Sequence, residues 1–173
     1  MNNLAIKLAP TLVTAILSLA SHGPSGKRPE AAPGRPEPNC DLTALGKAVA
    51  VDTAVLRKAK VNFPWQESTE GASMTTYTDA KVLKVLVLSF FGERGKVVSA
   101  FYLTPAGDFV LVQEEMRYAM PIDVQAAPKI VSRLPAVAYY CGGAPQTALL
   151  RSDVVSAKGT LDSALVVLRR SGQ

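Results

Sequence analysis

The amino-acid sequence predicts an α+β fold, in which a four-stranded or slightly larger antiparallel meander is covered by an N-terminal helix and a C-terminal helix. Three observations predict this class. Apolar residues recur at helical spacing after Asp41, four runs rich in β-branched and aromatic residues lie between Ala72 and Tyr118, and a second helical pattern follows Thr160. Because strands this apolar need a covering layer, both helices are expected to pack on the sheet.

The N-terminal helix is predicted over residues 42–60, with its basic residues in the last turn, where cations favour the helix dipole. Four strands are predicted after it: 72–78, 82–91, 96–104 and 109–118. The segments between them are short and rich in turn residues, so neighbouring strands are expected to be antiparallel. In the turn at 92–95, both glycines are suited to positive φ.

The pattern is weaker after residue 121. A short helix is predicted at 126–134, followed by a strand at 135–141 that stops at two glycines. Thr160 is a suitable N-cap for the last helix, which ends on Arg169 and Arg170.

Composition narrows the classes of protein further. Of 173 residues, 48% are hydrophobic and 19% are charged, which is typical of one folded domain and not of a disordered chain. No apolar run reaches the roughly 18 residues that a membrane-spanning helix needs. The net charge of +5 is spread along the chain, which argues against a nucleic-acid partner. The single histidine, His22, excludes a metal site built from several histidines.

The first 39 residues have the pattern of an export signal followed by a tether. Residues 1–20 combine one positive charge, a short apolar stretch and small residues at Ser18 and Ala20, as in a secretory signal peptide. Residues 21–39 are rich in proline and glycine, which is typical of a disordered linker. A single domain is then expected at 40–173, periplasmic or secreted. An uncleaved anchor is the alternative.

Cys40 and Cys141 are the two cysteines of the chain. Because thiols of exported domains usually pair, we predict a disulfide between the start of the domain and a late strand. The alternative is a reactive thiol, which would need a base, and residues 40–173 contain no histidine.

A set of turn and strand residues extends over 70–118. It consists of Glu70-Gly71, Thr76-Tyr77-x-Asp79, Gly92-Glu93-x-Gly95, Phe101-Tyr102, Phe109 to Val112 and Tyr118. This stretch of roughly 50 residues resembles a pattern found in small exported bacterial proteins of unassigned function. The resemblance implies an exported sheet protein and brings no catalytic residues with it.

Aromatic residues form one candidate ligand face: Trp65, Tyr77, Tyr102 and Tyr118. Exposed rings on one side of a sheet would suit a peptide or a glycan, because they offer a large contact area at a low entropic cost. Ordinary core packing, with the hydroxyl groups at the rim, is the alternative.

Four acidic residues are the candidates for carboxylate-dependent hydrolysis: Glu93, Asp79, Glu114 and Asp108. Their spacing selects no particular pair, and Glu93 lies in a Gly-Glu-Arg-Gly segment that is typical of a hairpin turn. No serine-hydrolase, nucleotide-binding or zinc-protease motif occurs in the sequence. No catalytic residue, cofactor or metal ligand is therefore assigned.

These observations favour an exported, non-enzymatic binding or accessory protein. Its partner would be a protein, peptide or glycan of the envelope or the exterior, with no stable membrane span after cleavage of the signal segment. Two alternatives stay open, namely a small carboxylate-dependent hydrolase and an exported carrier of a small ligand. A cavity of about 300 Å³ or more between helix and sheet would favour the carrier.

Overall fold

A computed structural model describes residues 40–64, 70–121, 128–146 and 157–172. The predicted signal peptide and tether fall outside the described residues. The regular elements are helix α1 (Leu42–Val49), a 3-10 turn (Thr53–Val55), strands β1 (Arg57–Val61), β2 (Ala72–Asp79), β3 (Val82–Gly92), β4 (Gly95–Leu103), β5 (Phe109–Tyr118), β6 (Ile130–Cys141) and β7 (Ala144–Pro145), and helix α2 (Ala157–Arg170). No helix among the described residues is both long and apolar enough to cross a membrane.

The seven strands form one antiparallel sheet whose spatial order follows the chain, from β1 to β7. The predicted α+β class and the meander are therefore confirmed. The sheet is larger than four strands because a short strand precedes the predicted set and two strands follow it.

The predicted helix over 42–60 was too long. It ends at Val49, and the carboxylate of Asp52 then caps the 3-10 turn by accepting the N–H of Ala54 at 2.9 Å. Residues Arg57–Val61 form β1 and pair with β2, from Arg57 opposite Thr78 to Val61 opposite Met74. Pairing along a sheet edge has overridden a helical spacing of apolar residues, as tertiary context often does.

The predicted short helix at 126–134 was also wrong where the structure describes it, because residues from Ile130 onward belong to β6. They pair with β5, and Arg133 lies opposite Met116. The last helix begins at Ala157, three residues before the predicted cap at Thr160.

One side of the sheet, called here the α2 face, carries the main core. Leu86, Phe101, Leu111 and Ala138 lie directly opposite one another on β3 to β6. They belong to one buried apolar cluster that includes Leu161 of helix α2. Because side chains alternate along a strand, this row places α2 on one side of the sheet only.

The other side, called here the α1 face, carries the neighbouring residues of each strand. Tyr77, Val85, Tyr102, Val110 and Tyr139 form a row across β2 to β6. Helix α1 packs on β4 and β5. The two helices therefore cover opposite faces of the sheet.

The predicted disulfide is confirmed. Cys40 immediately precedes α1 and Cys141 ends β6, with their Cα atoms 5.5 Å apart. Since Cys141 follows Tyr140 of the core cluster, its side chain points to the opposite side of the sheet, where α1 lies. The bond thus fastens the start of α1 to the α1 face.

Two of the turns show different backbone requirements. Ala80 and Lys81, between β2 and β3, both have positive φ, at 43° and 74°. Gly92 and Gly95 are not among the described residues with positive φ, so the expected reason for these glycines was wrong. A Cβ atom on Gly95 would instead clash with the backbone carbonyl of Met116, so glycine is needed for close strand approach.

Candidate ligand-binding cleft

A cleft of about 450 Å³ opens between helix α1 and the ends of strands β2 to β4. It is partly open to solvent. Its walls combine apolar, hydroxyl and charged side chains: Asp41, Thr43, Ala44, Lys47, Ala48, Val51, Asp79, Lys84, Leu103, Thr104 and Pro105. The volume lies in the range of about 300–1,000 Å³ that is typical of small-ligand sites.

Helix α1 forms one wall because its N-terminus is fixed in two ways. The disulfide to Cys141 holds Cys40, just before the helix, on the sheet. The carboxylate of Asp41, the N-cap residue, accepts the N–H of Ala44 at 2.9 Å. Ala44 and Ala48, one turn apart, present only methyl groups to the cleft, which leaves room beside the helix. Lys47 adds an exposed ammonium group to the same wall.

The sheet forms the other wall, at an irregular point of the β2–β3 pair. Tyr77 lies opposite Val85 and Thr78 opposite Leu83, so Lys84 is an extra residue without a partner on β2. Such a bulge redirects a side chain, and here half-buried Lys84 lines the cleft. Asp79, the last residue of β2, lies in the same wall.

The β4–β5 turn closes the end of the cleft. The backbone N–H of Thr104 donates to the carbonyl of Asp108 at 2.9 Å, and its hydroxyl donates to the same oxygen at 3.1 Å. Gly107 takes a φ of +91° in this turn. These contacts hold Thr104 and Pro105 at the end of the cleft. Leu103 also borders the cleft, but it packs against the buried cluster of the α2 face.

The cleft carries two ammonium groups and two carboxylates. Ion pairs between described residues join Arg117 to Glu115, Arg133 to Glu114 and Lys158 to Asp162. None of these pairs includes a charged group of the cleft. Charges of both signs therefore line one small space, and none of them forms an ion pair with a described residue.

The aromatic residues predicted to form one ligand face do not all lie together. Tyr77 and Tyr102 lie on the α1 face in the same row, separated by Val85. Tyr118 lies eight residues along β5 from the partner of Tyr102, a distance of about 26 Å at about 3.3 Å per residue. Trp65 falls outside the described residues.

Tyr102 is only 6% exposed, and its burial, followed by the nearby Tyr77 hydroxyl, raises the pKa of its phenol above the ordinary value of 10.0. Tyr77 is half-buried, and the ammonium of Lys58 lies 5.8 Å from the centre of its ring. These two tyrosines lie on the α1 face, and neither lines the cleft, whose lining contains no aromatic residue.

The four acidic candidates do not converge on one point. Glu93 is exposed in the β3–β4 turn, at the opposite end of the sheet from the turn that follows Asp79. Glu114 accepts two hydrogen bonds from Arg133, at 3.0 and 3.1 Å. Asp108 accepts the backbone N–H of Gly142 at 2.9 Å. Only Asp79 lines the cleft. Within the described ranges, no group of three or more His, Cys, Asp or Glu side chains is placed to hold a metal ion.

Sequence reasoning missed Lys47 and Lys84, the two cations of the cleft. Lys84 had a visible signal, since it is the single charged residue in the otherwise apolar run of β3. The bulge that directs it has no comparable sequence signal. Lys47 had none, because one lysine on the exposed side of a helix is ordinary.

Comparison with protein-family models, with curated proteins and with solved structures found no match. The interpretation of the cleft therefore rests on its own geometry and charges.

Proposed function

We propose that this chain is an exported, non-enzymatic binding protein that holds a small ligand in the cleft between α1 and the ends of β2 to β4. The cleft of about 450 Å³ carries this proposal. It exceeds the volume of about 300 Å³ at which a small-ligand role becomes favoured over a tightly packed helix–sheet contact.

Two further features support the proposal. The disulfide between Cys40 and Cys141 suits an oxidising compartment, as expected for an exported protein. It also fixes one end of α1, so that the helix wall keeps its position without filling the space beside it. A preformed cleft lowers the ordering cost of binding.

The distribution of acidic residues favours binding over carboxylate-dependent hydrolysis. Two carboxylates that hydrolyse a glycosidic bond lie about 5–10 Å apart across the substrate. Of the four acidic candidates, Glu114 is paired with Arg133, Asp108 caps a backbone N–H and Glu93 is at the other end of the sheet. From that set only Asp79 lines the cleft, and the second carboxylate there, that of Asp41, is engaged in capping α1.

A thermal-shift screen tests the proposal on the full, oxidised chain. The panel contains dipeptides, free amino acids, disaccharides, dicarboxylates and medium-chain fatty acids. At a concentration near 100 times Kd, a ligand stabilises the folded state by about 2.7 kcal/mol, which is readily seen as a rise in Tm.

The Ala44→Leu/Ala48→Leu variant is compared with the wild type, because both residues line the cleft and the larger side chains should fill it. Ala50→Leu is its control, since Ala50 is exposed, is the C-cap residue of the same helix and does not line the cleft. We expect at least one class of compound to raise the Tm of the wild type and of Ala50→Leu, and not of the filled variant. Equal shifts in all three proteins, or no shift with any class, would refute a ligand role for this cleft.

A further inference from the structure

The charges of the cleft indicate which ligands it would accept. On the helix side the cleft has the carboxylate of Asp41, the N-cap residue of α1, and the ammonium of Lys47. On the sheet side it has the carboxylate of Asp79 and the ammonium of Lys84. The cleft is therefore formally neutral, with charges of both signs on each of its two walls. A ligand that carries one sign of charge would gain an attractive partner and meet a like charge in the same space.

The four groups are not equally available. Asp41 already accepts the N–H of Ala44, so its carboxylate is engaged in capping the helix. Asp79 and Lys84 make no ion pair with any described residue. Lys84 is half-buried at the bulge, whereas Lys47 is exposed. Partial burial strengthens the attraction of a charged group for a ligand, because solvent screens it less.

The pairing of β2 with β3 determines the positions of both Lys84 and Asp79. Asp79 pairs with Val82 at the end of β2, and Lys84 lies two residues after Val82, within the bulge. The protein thus presents an ammonium and a carboxylate on the same short hairpin without joining them in an ion pair. A ligand that carries both an ammonium and a carboxylate can form an ion pair with each of these groups. A ligand with one charge can pair with one of them only, and the other group then stays without a partner from the ligand.

Size and polarity restrict the ligand further. A cleft of about 450 Å³ lies toward the lower end of the range of about 300–1,000 Å³ that is typical of small-ligand sites, so it suits a compound of about the size of the dipeptide Ala-Leu. The apolar part of the lining includes Ala44, Ala48 and Val51. Small apolar side chains would be buried there.

We propose that the cleft binds small zwitterions, namely free amino acids or short peptides with an unblocked ammonium and an unblocked carboxylate. Lys84 binds the ligand carboxylate and Asp79 binds the ligand ammonium, while the apolar lining accepts a short side chain. This inference rests on the proposed function and names the chemical class of its ligand.

Isothermal titration of the full, oxidised chain with three related compounds tests the inference. The compounds are Ala-Leu, its N-acetylated form and its C-terminal amide. We expect Ala-Leu to bind, and each blocked form to bind at least about tenfold more weakly, which corresponds to about 1.4 kcal/mol.

Two near-isosteric variants assign the contacts. Lys84→Met should remove the preference for Ala-Leu over its amide while keeping the preference over the N-acetylated form. Asp79→Asn should do the reverse. Lys60→Met on β1 and Glu93→Gln in the β3–β4 turn are the matched controls, since both residues are exposed and neither lines the cleft. Both controls should behave as the wild type.

The outcomes separate this inference from the proposed function. Equal binding of all three compounds, or tighter binding of a blocked form, overturns the zwitterion assignment. If no dipeptide or amino acid binds but another class in the thermal-shift panel stabilises the wild type and not the filled variant, the ligand class is wrong and the binding role stands. If no class does so, both are wrong.

Discussion

The two faces of the sheet are covered by helices that are held in different ways. Helix α2 has 14 residues and buries Ala157, Leu161, Ala164 and Leu168, whose spacings of four, three and four form one apolar stripe. Helix α1 has eight residues and buries only Leu45, but a disulfide fastens its start. Apolar packing holds α2 on the sheet, whereas α1 has less apolar packing, a covalent bond at its start and a cleft beside it.

Removing the disulfide should give the largest effect and would show how much α1 depends on it. In the Cys40→Ala/Cys141→Ala variant, loss of a cross-link between residues 101 positions apart is expected to lower the free energy of unfolding by up to about 4.7 kcal/mol. Urea unfolding measures the change. Hydrogen exchange should become faster in α1 than in α2.

Reduction of the wild type is the control for that variant, because it breaks the same bond without creating two alanines. Both proteins should lose similar stability. A loss below about 1 kcal/mol, or equal acceleration of exchange in the two helices, would mean that packing holds α1 as it holds α2.

Single leucine truncations compare the two helices more finely. Leu161 and Leu45 are 4% and 3% exposed, so the buried area removed is similar. Leu161→Ala should cost about 3 kcal/mol, within the range of about 2–5 kcal/mol for such changes. Leu45→Ala should cost less in global stability, because α1 can open locally while the rest of the sheet stays folded.

Val166→Ala serves as the control for these truncations, since Val166 on α2 is 42% exposed. Its effect should stay within about 0.5 kcal/mol. If Leu45→Ala lowers the free energy of unfolding as much as Leu161→Ala, α1 is part of the same cooperative unit as α2 and the contrast between the helices fails.

The smallest expected effect concerns the pH dependence of the α1 face. The raised pKa of Tyr102 means that the folded state holds the phenol proton more firmly than the unfolded chain does, so stability falls as the pH rises above the ordinary value of 10.0. Between about pH 9 and about pH 11, the wild type should lose more stability than Tyr102→Phe. Urea unfolding at each pH measures the difference, and identical losses would contradict the buried position of this hydroxyl.

How far the sequence predicts the fold differs between these regions. The strands from 72 to 118 were predicted closely, because short turns and β-branched runs are local signals. Strand β1 was missed, since Arg57–Val61 has basic residues and one alanine that also suit a helix end, and only pairing with β2 decides its conformation. The start of β6 was missed for the same reason, because its partner β5 lies outside any local window.

The candidate site was predictable only in part. The disulfide followed from two cysteines and an export pattern, and the structure confirms it. The cleft did not follow, because it depends on where α1 crosses the sheet and on the bulge at Lys84. Both are consequences of tertiary packing, which composition and periodicity do not record.

An NMR titration of the full, oxidised chain with Ala-Leu tests most directly whether the α1 side of the sheet, rather than the α2 side, holds a ligand. With alanine and leucine methyl groups labelled, resonances of Ala44 and Ala48 should shift in proportion to occupancy, while those of Leu161 and Ala164 should stay in place. Shifts that centre on Leu161 and Ala164, or no shifts at the cleft residues at millimolar dipeptide, would contradict the account.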